Sequence, residues 1–180
     1  EEDGLVDHKS STSEGLLHVP FCVINPPEGF GRVARDASGY CSHLALGELI
    51  AAFARDEVVD PFKERVPAEV VGIGTTVGPL DDPGRQAEYE HWDRLIRCVY
   101  DGPEKYVWDS QGASERYVLD DVPSSQALAG EDADVPEWAI DRFDGTPSEA
   151  KAAAQGDGDD GLESSVDDDT RDRLAELGYL

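Results

Sequence analysis

Two apolar runs in the first half of the chain predict buried strands. Residues 19–24 (VPFCVI) form a continuous apolar run that stops at Asn25-Pro26-Pro27, and residues 68–74 (AEVVGIG) form a second one. A short apolar run bounded by turn residues is typical of a strand that is covered on both faces. Residues 19–24 therefore predict a strand inside an α/β sheet, with Cys22 as one of its buried side chains.

The best amphipathic pattern lies between these runs. Apolar residues recur at spacings of two to four over residues 44–53, and Ser42 precedes them as a candidate N-cap. This pattern predicts a helix that begins after Ser42 and ends near Asp56. Residues 26–40 are rich in glycine and proline and predict a loop.

The second half of the chain predicts an antiparallel meander. Residues 95–100, 105–108 and 115–119 are strand-like, and Asp101-Gly102-Pro103-Glu104 between the first two is a hairpin signal. A polar linker is predicted over residues 81–90 and a short helix over residues 135–143, with Asp134 as its cap. Residues 145–167 predict an acidic linker, and residues 168–180 a C-terminal helix with acidic residues in its first turn.

The charge balance excludes two classes of partner. The chain has 15 Lys and Arg against 40 Asp and Glu, a formal net charge of −25. Binding to nucleic acid or to an anionic membrane surface needs clustered basic residues, and the sequence has no such cluster. No stretch approaches the roughly 20 apolar residues of a membrane span.

The same charge predicts a salt-dependent fold of the halophilic type. Like charges repel within the folded chain, and at about 1 M salt the screening length falls to roughly 3 Å. We expect the melting temperature, followed by circular dichroism, to rise as KCl is added. A melting temperature that does not change with KCl would contradict the halophilic interpretation.

Cysteine usage and the first residues predict the compartment of the chain and its relation to a longer reading frame. There are three cysteines with no metal-ligand spacing, and an odd number speaks against a secreted disulfide framework, so the cytoplasm is the expected compartment. The chain itself predicts no metal site. It begins Glu-Glu-Asp without a methionine, and we expect it to be a piece of a longer reading frame.

Candidate chemistry is concentrated near the start of the chain. His8 and Lys9 stand side by side in a segment rich in serine and glycine that continues to Glu14-Gly15. Such a loop can present an ammonium and an imidazole to one oxyanion. The same residues would also suit an exposed surface loop, and spacing alone leaves both interpretations open.

At this point the sequence resembles the sulfatases, the formylglycine-dependent sulfuric ester hydrolases of the alkaline-phosphatase superfamily. The string K-x-x-x-x-E-G-x-x-x-x-P from Lys9 to Pro20, followed by N-P-P, is similar to their late active-site segment. Residues 97–107 (RCVYDGPEKYV) resemble the family's R-x-V-R-D-G-x-Y-K-Y strand pair. The ending RLAELGYL at residues 173–180 resembles a common sulfatase terminus, of a halophilic-archaeal type.

The resemblance implies a fold and a division of the chain. The fold class would be α/β: the C-terminal part of an alkaline-phosphatase-like α/β sandwich, plus a small antiparallel sheet subdomain packed with a C-terminal helix. Residues 1–80 would end the catalytic domain, and residues 81–144 would form the subdomain. An acidic linker at 145–167 and the helix at 168–180 would follow.

The resemblance also implies roles for single residues. Lys9 would contact the sulfate oxygens, and His8 would contact or protonate the leaving group, so both would be catalytic and substrate-binding. Glu14 would orient the loop, although Ser13 stands where tyrosine is usual in the family. The formylglycine motif C/S-x-P/A-x-R and the calcium-binding aspartates do not occur in the sequence. Calcium and formylglycine are thus expected in the full-length enzyme, in a missing N-terminal portion, and this chain alone should be inactive.

Two alternatives remain open. The chain could be a non-enzymatic acidic module that binds a partner protein or cations. It could also belong to a phosphodiesterase or phosphotransferase of the same superfamily, because a phosphate ester presents a similar tetrahedral anion.

Overall fold

The structure is a computed structural model that describes residues 11–72, 83–119 and 125–156. These residues form helices and two antiparallel sheets, so the prediction of a mixed α/β protein is confirmed at that level. The alkaline-phosphatase-like sandwich stays a prediction. The helices are α1 Glu14–Leu17, α2 Phe30–Asp36, α3 Leu46–Ala54, α4 Pro83–Trp92, α5 Glu137–Ile140 and α6 Pro147–Gly156. The strands are β1 Tyr40–Cys41, β2 Phe62–Lys63, β3 Arg65–Val70, β4 Ile96–Asp101, β5 Glu104–Asp109, β6 Ser114–Leu119 and β7 Gln126–Glu131.

The larger sheet has the strand order β3-β4-β5-β6-β7, with every neighbouring pair antiparallel. The predicted meander over β4, β5 and β6 is therefore confirmed, and β3 and β7 extend it on either side. Side chains alternate between the two faces of a strand. One face carries the core of Ile96, Cys98, Tyr100 and Val107, against which Leu17 of α1 packs. The other face carries Val99 and Trp108, which pack with Ala139 of α5.

The predicted amphipathic helix is confirmed as α3, preceded by a 3-10 turn over His43–Ala45. The Ser42 hydroxyl accepts a hydrogen bond from the Leu44 N–H at 3.2 Å, which is the expected cap. Leu49 and Ala52 are its buried residues, whereas Ile50 is exposed.

The strand predicted over residues 19–24 is wrong. These residues have no regular secondary structure, and Phe21, Cys22 and Ile24 are exposed, Ile24 to 81%. The prediction that Cys22 is buried is wrong as well. Pro20 offers no backbone N–H for a strand ladder, and the sheet positions beside the core are filled by the meander itself. The run instead lines one side of an open apolar groove of about 1050 Å³.

Three segments predicted to be loops or linkers contain helices. Residues 26–40 contain α2, residues 81–90 begin α4, and residues 145–167 contain α6. Each of these helices is polar or rich in small residues, so its apolar periodicity is weak. The short helix predicted over residues 135–143 is present as α5. It is shorter than predicted, and its N-cap is Pro136 rather than Asp134.

The predicted domain boundary at residue 80 falls between two paired strands of the larger sheet. β3 lies before the predicted boundary at residue 80, and it pairs with β4, which lies after it, at six positions. The division of the chain into domains stays a prediction. The predicted C-terminal helix lies outside the described residues. None of the helices in residues 11–72, 83–119 and 125–156 is long and apolar enough to cross a membrane.

Gly39 allows the chain to enter β1, and its replacement has a predictable cost. Its φ is +105°, and a Cβ there would lie 2.4 Å from the Lys63 carbonyl oxygen. We expect Gly39→Ala to lower the free energy of unfolding by about 2–3 kcal/mol. Gly112→Ala is the matched control: its φ is +92° but no atom lies within 4 Å, so about 1 kcal/mol of backbone strain is expected. Equal losses in urea denaturation would contradict the contact with Lys63.

Candidate functional site

The two predicted catalytic residues, His8 and Lys9, lie outside the described residues. The structure follows their loop from Ser11 onward, through α1. The described part of the loop, residues 11–17, contacts one face of the larger sheet.

Glu14 links this loop to the sheet through a buried ion pair with Lys105. The Lys105 Nζ donates hydrogen bonds to Glu14 Oε1 at 2.8 Å and to Gln126 Oε1 at 2.9 Å, and also to the Thr12 carbonyl. The Tyr100 hydroxyl donates to the same Glu14 oxygen at 2.7 Å. The Lys105 side chain has no exposed surface, and that of Glu14 is 5% exposed. Glu14 therefore links residues 12–14 to the sheet, and its orienting role in an active site stays a prediction.

The sheet register explains why a lysine is buried at this point. Lys105 stands directly opposite Tyr100 on β4 and opposite Tyr117 on β6. All three side chains share the face that α1 covers. An ammonium has three N–H donors and no acceptor, and here each donor has an oxygen to bond. A buried charge with its hydrogen bonds complete is tolerated, whereas an incomplete one is costly.

Two titratable groups beside this ion pair are held in their neutral forms. Burial raises the pKa of Tyr100 well above its ordinary value, and the hydrogen bond to Glu14 raises it further. Tyr100 therefore remains a hydrogen-bond donor. Burial also raises the pKa of Cys98 to about 11, so this thiol is protonated near neutral pH and is a poor nucleophile.

Beside the ion pair lies a cavity of about 260 Å³, called here the sheet cavity. Its floor comes from one face of the sheet: Ile96, Val107, Asp109, Glu115 and Tyr117. Residues 11–13 form its rim, and the end of α4 with the residues after it forms a wall. The segment that follows Lys9 thus borders a concavity.

The wall of the sheet cavity is held by a second ion pair. Arg94 Nη1 lies 2.7 Å from Asp109 Oδ2, and the Asp109 side chain is 4% exposed. Asp109 Oδ1 accepts hydrogen bonds from the backbone N–H groups of Gln111 and Ala113, so it also shapes the β5–β6 turn. The Arg94 Nε is buried, and no acceptor for it exists among the described residues. A buried donor of this kind marks a place where a ligand or solvent oxygen is expected.

The remaining histidines lie at the surface of the described chain. His18, His43 and His91 are all exposed. His91 also borders the sheet cavity, where its ring meets the Trp92 ring edge-on, with 4.8 Å between the ring centroids. The His18 backbone N–H donates a hydrogen bond to the Glu14 carbonyl oxygen at the end of α1.

The described residues include no group of three or more His, Cys, Asp or Glu side chains that could hold a metal ion. Sequence reasoning missed the residues around the sheet cavity, which come from four separate segments of the chain. The alternation along β5 and β6 was the available signal, because it places Val107 and Asp109 on the face that also carries Glu115 and Tyr117.

Comparison with known proteins identifies no relative. No family model matches the chain, and neither a curated protein nor a solved structure is significantly similar to it.

Proposed function

We propose that this chain is the C-terminal portion of a sulfatase and that Lys9 and His8 act in its site for sulfate esters. One observation carries the proposal. Glu14 comes from the first segment that resembles the family and Lys105 from the second, and the two segments are separated by 91 positions, yet these side chains form a buried ion pair. Two of the segments on which the resemblance rests are therefore in direct contact.

The chemistry assigned to the two residues is simple. Lys9 supplies a mobile positive charge that binds the sulfate oxygens and offsets the charge that grows as the S–O bond breaks. His8 donates a hydrogen bond or a proton to the leaving oxygen. Lys9 stands two positions before Ser11, which borders the sheet cavity, so the proposal gives the leaving group a place beside the anion.

The nucleophile and the metal are assigned to another part of the protein. The described residues offer no metal-ligand cluster, and the sequence lacks the formylglycine motif. Calcium would bind the sulfate group, and formylglycine would supply the attacking oxygen, both in the N-terminal portion. The compartment proposed with this enzyme is the cytoplasm.

The reading frame upstream of Glu1 tests this assignment directly. We expect D-N/H-G shortly before Glu1 and C/S-x-P/A-x-R well upstream of it. The protein made from the complete frame should hydrolyse an aryl sulfate. Hydrolysis of the matching aryl phosphate instead would favour a phosphotransferase, and a frame without either motif would favour a non-enzymatic module.

A further inference from the structure

We propose that residues 11–17 form a strap across the larger sheet, and that this strap opens as a unit while the sheet stays folded. Opening joins the sheet cavity and the apolar groove into one continuous cleft. This movement goes beyond the proposed function, because it concerns only described residues and holds whether or not Lys9 binds a sulfate group. Three features support it: where the strap lies, what holds it there, and what the sheet keeps without it.

The strap separates two concavities that share one face of the sheet. Residues 11–13 border the sheet cavity, and Glu14 borders the apolar groove. Along β4, Ile96 contributes to the cavity and Tyr100 to the groove. Cys98 lies between them on the same face, borders neither concavity and has no exposed surface. The strap therefore covers the sheet at Cys98.

A small group of contacts holds the strap in place. The Lys105 ammonium donates hydrogen bonds to the Thr12 carbonyl and to the Glu14 carboxylate. The Tyr100 hydroxyl donates to the same carboxylate, and Leu17 packs against the apolar core beneath. Within the described parts of the chain, no backbone hydrogen bond joins the strap to either sheet. A segment with few apolar contacts and no backbone ladder opens at a lower free energy than the strands beside it.

The sheet keeps its own structure when the strap leaves. The backbone pairing of its five strands does not involve the strap, and α5 covers the opposite face. Lys105 keeps its hydrogen bond to Gln126, and water reaches its other N–H groups, so no buried charge is left without a partner. Opening as a unit therefore avoids the penalty of removing one partner of the ion pair alone. The same movement releases from the sheet the segment that follows Lys9.

Labelling of the Cys98 thiol tests the opening, because the strap covers this side chain. Cys22 and Cys41 are replaced by serine, and methyl methanethiosulfonate is added at low concentration, where the labelling rate reports the open population. The rate is measured in increasing urea below the unfolding midpoint. We expect an opening whose dependence on urea is less than about half that of global unfolding, since it exposes a small area. A rate that follows global unfolding at every urea concentration would overturn the proposal, and no outcome depends on sulfatase activity.

Two variants on opposite faces of the sheet assign the opening to the strap. Glu14→Gln removes the charge that pairs with Lys105 and should speed labelling of Cys98 by about 10- to 100-fold, the usual worth of a hydrogen bond to a charged group. Val99→Ala is the matched control, because Val99 is equally buried but packs with α5, and its contacts persist when the strap opens. It should lower the unfolding midpoint and leave the labelling rate without urea unchanged.

Equal acceleration by both variants would show that Cys98 reacts only through global unfolding, and no acceleration by Glu14→Gln would show that the ion pair does not hold the strap. Either result refutes the proposal. Should Val99→Ala fail to fold, the urea dependence of Cys98 labelling decides.

Discussion

Glu14→Ala is expected to lower the free energy of unfolding by about 3–5 kcal/mol, the cost of leaving one partner of a buried ion pair alone. The variant removes the carboxylate but leaves the Lys105 ammonium with no exposed surface and with one hydrogen bond fewer. The Tyr100 hydroxyl loses its acceptor as well. Urea denaturation followed by circular dichroism measures the loss.

A double variant distinguishes the cost of leaving the Lys105 charge unpaired from the cost of removing the Glu14 side chain. Glu14→Leu with Lys105→Met replaces both charges by apolar groups of similar size, and we expect it to recover most of the stability lost by Glu14→Ala. Glu57→Ala is the matched control, because Glu57 pairs with Arg55 at 2.8 Å on the exposed surface, and its removal should leave the unfolding midpoint within error. A double variant as unstable as Glu14→Ala would show that the ion pair does not account for the loss.

The meander was predictable because its signals are local. The short apolar runs of β4 and β5 and the Asp-Gly pair between them predict a hairpin without any knowledge of the rest of the chain. The helix after Ser42 was predictable for the same reason, since its cap and its apolar face lie within one short segment.

α6 shows what a different local signal could have revealed. Thr146-Pro147-Ser148-Glu149 is a capping box: the Glu149 carboxylate accepts the Thr146 N–H at 2.7 Å, and the Thr146 hydroxyl accepts the Glu149 N–H at 3.2 Å. The Thr146 N–H bond, together with the hydrogen bond that the Thr146 hydroxyl donates to the same carboxylate at 2.9 Å, lowers the pKa of Glu149. Proline at the first helical position is also typical. The acidic, alanine-rich composition led to the prediction of a linker, whereas the spacing of Thr146 and Glu149 alone predicts the start of a helix.

The strand prediction for residues 19–24 was wrong because its outcome depends on distant parts of the chain. Whether an apolar segment becomes a strand depends on which partners are available in space, and that information is not local. The same holds for the site. Glu14 and Lys105 are far apart in the sequence, and only the register of β5 shows that Lys105 faces inward. The contact between these two segments is therefore information that the sequence alone did not contain.

Under the proposed sulfatase function, Lys9→Ala is expected to lower kcat for an aryl sulfate by about 10²- to 10³-fold in the protein made from the complete reading frame. This is the usual cost of removing one group that stabilises a developing oxyanion. KM should change less than kcat, because the charge on the sulfate oxygens grows in the transition state. Lys9→Arg should recover part of the activity, since the charge returns without the point geometry of an ammonium. Initial-rate kinetics at saturating substrate measure these effects.

His8→Ala distinguishes anion binding from help to the leaving group. A general acid matters most when the leaving oxygen is a poor leaving group, so His8→Ala should slow an alkyl sulfate much more than a nitrophenyl sulfate. Lys9→Ala should slow both alike, because both substrates carry the same sulfate group. Lys63→Ala, an exposed lysine on β2, should leave both rates unchanged. If Lys9→Ala keeps wild-type kcat while Lys63→Ala does too, the ammonium at position 9 is a surface charge, and the assignment of this loop to sulfate-ester chemistry fails.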